Sequence, residues 1–140
     1  MKIKQLSLFV ENRPGALNKV CQTLKEHNIS IRTLSLADTQ QFGILRLLVN
    51  EWEDAEKALE GAGFIVKVTE VLALPVEDRA GGLAELLEIL RDCQVEYMYA
   101  FTFGHGGKAI MVFRFEDPDK ALDVLHKAGV DAIGPVELFH

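Results

Sequence analysis

The chain has 140 residues, 49% hydrophobic and 26% charged, with a formal net charge of −6. The composition is globular, and an acidic balance argues against a nucleic-acid or anionic-membrane partner, either of which needs a basic stripe. One ordinary domain or two small ones fit this length.

Met1-Lys2-Ile3-Lys4 leads directly into a strand over 2–10, where Leu6, Leu8 and Val10 alternate with Ser7 and Phe9. This start lacks the apolar core of a signal peptide, and no apolar run approaches a membrane span. Glu11-Asn12-Arg13-Pro14-Gly15-Ala16-Leu17 follows as a strand-to-helix turn. Gly15 allows the backbone to come close to a ligand, and Pro14 suits a first helical turn, where its missing N–H costs nothing. The open N–H groups and the positive end of the helix dipole make a small anion site there. A helix over about 15–27 buries Leu17, Val20, Cys21 and Leu24 and leaves Lys19, Gln22, Lys25 and Glu26 to solvent. Strands over 29–37 and 43–49 are joined by the polar Asp38-Thr39-Gln40-Gln41, which suits a hairpin. A helix over 52–62 buries Ala55, Ala58, Leu59 and Ala62 and stops at Gly63; a strand over 64–71 follows.

The same order then recurs: strand 71–76, helix 81–93, strands 95–103 and 108–115, helix 118–128, strand 130–139. Asp117-Pro118 starts the last helix, an Asp cap before a Pro at the first helical position. A shift of 66 residues lays Glu77-Asp78-Arg79-Ala80-Gly81-Gly82-Leu83 under the first turn without a gap, with Val10 on Val76, Leu24 on Leu90, Ile44 on Ile110 and Leu59 on Leu125. A gapless register that carries glycines and helix faces together marks an internal duplication. The domains are 1–70 and 71–140. No Gly, Ser or Pro run separates them, so 66–74 is one continuous or bent segment, and Pro75 marks a strand end.

The fold class is α+β: two tandem ferredoxin-like βαββαβ units, each an antiparallel four-stranded sheet with both helices on one face. Leu34 and Leu36 take the core phase of the second strand. Tyr99, Phe101 and Phe103 then lie on the face away from the helices, where something must pack on them; in the other phase they are plain core.

Several features point to no chemistry. Gly104-His105-Gly106-Gly107 precedes a strand, where a phosphate loop needs a helix. His27, His105, His126 and His140 form no i, i+4 pair, and Cys21 and Cys93 have no metal-type spacing, so no metal or cofactor is expected and a reduced cytoplasm is the default. Glu11/Arg13 and Glu77/Arg79 read as exposed turn ion pairs. No activated nucleophile is visible, and the chain is not expected to be an enzyme.

Asn12-Arg13-Pro14-Gly15-Ala16-Leu17, an apolar helix and then Asn28-Ile29-Ser30-Ile31 resemble the signature of the ACT domain. The resemblance spans the chain as two copies; in the second, Ala80 replaces the proline. It implies the βαββαβ topology and a regulatory protein that binds an amino acid at an interface between repeats. The implied partner is an enzyme of amino-acid metabolism, and a homodimer is expected. The alternative is an assembly subunit that uses the fold for dimerisation without a ligand. The implied ligand-binding residues are Asn12, Pro14, Gly15, Ala16, Leu17 and Ser30, with Asp78, Gly81, Gly82, Leu83 and Glu96 in the second copy. Ligands in similar domains lie where the strand-to-helix loop of one copy faces the second strand of another. Asn12 and Asp78 are also turn formers in their own right. Asp78 and Glu96 would crowd an incoming carboxylate, which favours the first site, unless Asp78 holds the ligand's ammonium group. A side chain at Gly15 is expected to weaken binding more than it disturbs the fold.

Overall fold

A computed structural model describes residues 1–38 and 41–139. It contains two compact units, Lys4–Thr69, and Glu70–His140 together with Met1–Ile3. The first is built from β1 (Ile3–Glu11), α1 (Ala16–Glu26), β2 (Ile31–Asp38), β3 (Phe42–Val49), α2 (Trp52–Gly61) and the first half of β4 (Val66–Val76). The second takes the rest of β4, then α3 (Gly82–Ile89), β5 (Val95–Ala100), β6 (Ala109–Phe115), α4 (Pro118–Lys127) and α5 (Pro135–Phe139). The continuous segment expected at 66–74 is β4.

The first sheet runs β2-β3-β1-β4. Leu6, Leu8 and Val10 face the same side as Leu45, Leu47 and Val49, and α1 and α2 close over them with Val20, Leu24, Ala55 and Leu59. Most of these side chains lose all contact with water, and a fully buried Leu or Val contributes roughly 1.5–3 kcal/mol. The hairpin pairing of β2 and β3 runs from Ile31↔Val49 to Asp38↔Gly43, with a register shift between Ile31 and Thr33; Thr39 and Gln40, from the expected connection, lie outside the described residues, as does His140. Leu34 and Leu36 pair with the core residues Leu47 and Leu45, so their phase is the expected one. They are nevertheless 46% and 53% exposed, because β2 is the edge strand of the unit and the helices do not reach over it.

In the second unit β5 and β4 flank β6. Leu72, Leu74, Val76, Phe113 and Phe115 pack under Leu86, Ala121 and Leu125, with the Phe113 and Phe115 rings stacked at 5.5 Å. Met98 joins this core, so Tyr97 and Tyr99 lie on the opposite face by strand alternation. Phe101 and Phe103 fall beyond the end of β5 and are not set by its phase; Phe101 is buried and Phe103 is 59% exposed. The strand expected over 130–139 does not form. Ile133 makes a single bridge to Ala73, and α5 follows. Pro135 explains the change: it cannot donate to a ladder, and its fixed φ suits a helix start. That same bridge accounts for Pro75. Ala73 accepts from Ile133 N–H, so residues 73 and 75 direct their backbone groups to this sparsely paired edge, where a missing N–H is tolerated.

Helix α3 stops at Ile89 rather than near residue 93, and Cys93 N–H closes a separate turn on Leu90 O at 2.8 Å. Asp117 caps α4 as expected: its carboxylate accepts from Lys120 N–H at 3.1 Å, with Pro118 at the first helical position. Asp117→Ala is therefore expected to cost about 1 kcal/mol, read as a lowered midpoint in thermal unfolding.

Candidate functional site

The β1–α1 and β4–α3 connections are tight turns of one type. Arg13 O accepts from Ala16 N–H at 3.3 Å, with Pro14 and Gly15 between them and Gly15 at φ 88°, ψ −17°. Arg79 O accepts from Gly82 N–H at 3.0 Å, with Ala80 and Gly81 between them and Gly81 at φ 84°, ψ −5°. These are type II turns, in which proline suits the second position and glycine the third. Further bonds recur in both: Arg13 N–H to Glu11 O and Arg79 N–H to Glu77 O, each 2.9 Å, then Lys19 N–H to Gly15 O and Glu85 N–H to Gly81 O, each 3.0 Å. Gly15 and Gly81 thus occupy equivalent turns.

This geometry corrects two expectations. Pro14 sits in the turn and not in the helix, because Gly15, at positive φ, ends the non-helical stretch and α1 begins at Ala16. Gly15 is there for its φ: a Cβ built on it meets nothing within 4 Å. A bulky residue at Gly15 would strain the turn by about 1–2 kcal/mol whatever happens to a ligand.

The first loop borders a cleft of ≈ 400 Å³ lined by Asn12, Arg13, Leu17, Leu36 and Gly43, among others. Asn12 N–H to Gln41 O at 3.0 Å ties the loop to the start of β3. Leu17 was expected in the core, but it is 38% exposed; Ala16, at 7%, is the buried residue of that turn. Leu17 and Leu36 give the cleft an apolar wall. Of the implied carboxylate receivers, Pro14 has no N–H and Ala16 spends its own on Arg13. The N–H groups of Leu17 and Asn18 have no acceptor within the helix and lie at the positive end of its dipole; of these two residues, Leu17 lines the cleft. Leu36 and Gly43 were missed in the sequence, since alternation alone places Leu36 in a core and does not reveal that β2 is an edge.

Ser30 is exposed and precedes β2, at the opposite end from Leu36. They are six positions apart along the strand direction, roughly 20 Å, so within one unit Ser30 does not reach the Asn12 loop. The second copy repeats this separation. Asp78 is exposed in the loop after β4, whereas Glu96 lies at the start of β5, where Arg114 Nε donates to it at 3.0 Å. The two carboxylates therefore do not crowd one carboxylate site within the unit. Leu83, unlike Leu17, packs against the core.

The ion pair between Arg13 and Glu11 forms, at 2.6 Å. Its counterpart does not: Arg79 pairs with Glu85 at 2.6 Å and Glu77 with Lys108 at 3.2 Å, because Glu85 and Lys108 stand where the first repeat has Lys19 and Phe42. A larger cavity, ≈ 690 Å³, lies in the second unit beside His105, Lys108, His126 and Glu137. Two of its lining side chains pair with each other, His105 with Glu137 at 3.5 Å, and Lys108 pairs with Glu77 outside it; the smaller cleft, at a helix start with N–H groups that have no acceptor within the helix, is the better candidate.

Among the described residues no three His, Cys, Asp or Glu side chains gather to hold a metal ion. Burial pushes the Cys93 thiol above its ordinary pKa, which favours the thiol over the thiolate. No described helix is long and apolar enough to cross a membrane.

Protein BT0572 from Bacteroides thetaiotaomicron is 35% identical, with a TM-score of 0.91 over 99% of this chain and 96% of that one. The regulatory subunits of aspartate kinase from Thermus thermophilus, in a ligand-free form, and from Thermus flavus share the fold. Their TM-scores are 0.64 and 0.61 at 17% and 18% identity, over 89% and 90% of this chain and 91% and 92% of theirs. No curated protein matches the sequence. A family model described as an ACT domain pair matches residues 1–139. With two type II turns in equivalent places and a helix-covered antiparallel sheet in each unit, the chain belongs to the ACT domain pair family.

Proposed function

We propose that this ACT domain pair, with domains 1–70 and 71–140, is a non-catalytic regulatory protein that binds an amino acid at the first-repeat cleft. The observation that carries the reading is Leu17, turned out of the core beside open helix N–H groups. A ligand carboxylate would accept from Leu17 and Asn18 N–H, the Asn12 amide would bond its polar groups, and its side chain would lie along Leu17 and Leu36. Ser30 then takes part from a neighbouring copy, which fits a homodimer joined along the β2 edge. Binding would favour one arrangement of copies over another and so alter contact with an enzyme of amino-acid metabolism; the fold shared with aspartate kinase regulatory subunits supports that class of partner. A cytoplasmic location accords with this role.

Calorimetric titration against the twenty amino acids tests the proposal. One or a few should bind, Asn12→Ala should weaken that binding about tenfold, and Asp78→Asn, in the other repeat, should leave it unchanged. Loss of binding in Asp78→Asn with none in Asn12→Ala would move the site to the second loop. The exposed Leu34 and Leu36 on an edge strand also favour a second reading, an assembly subunit that pairs through β2 without a ligand. A dimer that binds none of the twenty would establish it.

A further inference from the structure

Each repeat has a notch in the same place, between the start of its first helix and the glycine after its second. In the first unit it measures ≈ 260 Å³ and is lined by Phe9, Lys19, Phe42, Phe64 and Ile65, among others. In the second it measures ≈ 330 Å³, with Pro75, Glu85, Lys108, Val130 and Asp131 at the matching positions. The duplication makes the second notch an internal control. Proline, lysine and aspartate at 75, 108 and 131 show what this fold accepts there. The first repeat instead carries Phe9, Phe42 and Ile65, and they are 62%, 46% and 79% exposed. The second repeat folds without large apolar groups at these positions, and in the first they stay partly exposed; large apolar groups gathered on one notch mark an interaction surface.

The charge differs as well. At equivalent positions the first notch sets Glu11 against Arg13 and Lys19, while the second sets Glu77, Glu85 and Asp131 against Arg79 and Lys108. Arg13 is already bonded to Glu11. The Lys19 ammonium stands 5.4 Å over the Phe64 ring, which fixes a cation on the notch wall.

We infer that the first-repeat notch docks an acidic segment of a protein partner that presents a bulky apolar side chain beside its carboxylates. The apolar group seats among Phe9, Phe42 and Ile65, and a carboxylate meets Lys19. A second copy is the poorer occupant, because two-fold pairing of the notch on itself would set Lys19 opposite its own counterpart with no carboxylate to meet it. The surface shares Glu11 and Arg13 with the proposed amino-acid cleft and does not depend on it.

The test is a titration of the isotope-labelled full chain with three synthetic hexapeptides, followed by backbone amide shifts. One has Leu-Phe between paired glutamates, one has Leu-Phe between paired lysines, and one has Gly-Gly between paired glutamates. The first should shift the amides of Phe9, Lys19, Phe64 and Ile65 saturably and bind at least tenfold tighter than the other two. The variant Lys19→Glu/Phe42→Lys/Ile65→Asp gives the first notch residues that the second already carries. It should fold and lose at least tenfold in peptide affinity; if it fails to fold, Ile65→Asp alone, at a highly exposed position, should show the loss. Asn12→Ala should leave the peptide shifts in place, which separates this surface from the amino-acid site. No saturable shift at the first notch, equal shifts at both notches, or full affinity in the variant would overturn the inference. So would concentration-dependent self-association of the wild type that the variant abolishes, since the occupant would then be a second copy.

Discussion

Gly82→Ala is expected to destabilise the chain by about 3 kcal/mol, a fall of roughly 10 °C in the unfolding midpoint. A Cβ at Gly82 would run into the Glu77 carbonyl oxygen and lie 2.9 Å from its carbon. Those atoms are backbone, held in the turn by Arg79 N–H on Glu77 O, so no side-chain rotation relieves the clash. Ala16 occupies the matching position of the first repeat and is a buried residue there, so the two loops share a hydrogen-bond pattern but not the space beneath it. Ala16→Gly is accordingly expected to cost about 1 kcal/mol, through lost burial and a more flexible unfolded chain. Thermal unfolding of both variants checks the contrast; a tolerated Gly82→Ala would mean that the second loop relaxes freely.

Leu17→Glu is expected to reduce amino-acid affinity at least tenfold while the unfolding midpoint moves little. Leu17 is too exposed to support the core strongly, yet it lines the cleft beside the open helix N–H groups. A carboxylate there faces the incoming ligand carboxylate. At about 4 Å that repulsion is worth roughly 1 kcal/mol in water and several times more when partly desolvated, and each 1.4 kcal/mol is about tenfold in affinity. Calorimetry paired with a thermal melt separates the effects. Unchanged affinity would remove Leu17 from the site, and equal loss of stability and affinity would return it to a structural role.

Much of this was legible in the sequence because two signals reinforced each other. The duplication and the helix and strand periods together specify the βαββαβ order, and the Asp117-Pro118 start and the turn glycines are where local chemistry places them. The departures have local causes. Pro135 turned an apolar tail into a bridge and a short helix. Leu34 and Leu36 alternate like core residues but lie on an edge strand, and exposure at an edge is a property of strand order that alternation does not carry. Leu17 follows the same logic on α1: the helical period allows it on the apolar face, and the neighbouring edge leaves it uncovered. For the site, the motif located the first loop and its helix start. It did not show that Ser30 and Glu96 lie a strand's length away from the loops of their own units. Nor could it show that Glu96 is tied to Arg114, a contact between strands 18 residues apart in the chain.

The most direct measurement of the central claim is an amide-shift titration of the isotope-labelled chain with whichever amino acid binds in calorimetry, or with each of the twenty in turn. The account predicts saturable shifts of Leu17 and Asn18 N–H, with smaller changes at Asn12 and Leu36 and none at Leu83 and Ala84. Saturable shifts confined to the second loop, or an amino acid that binds without moving Leu17 and Asn18, would contradict it.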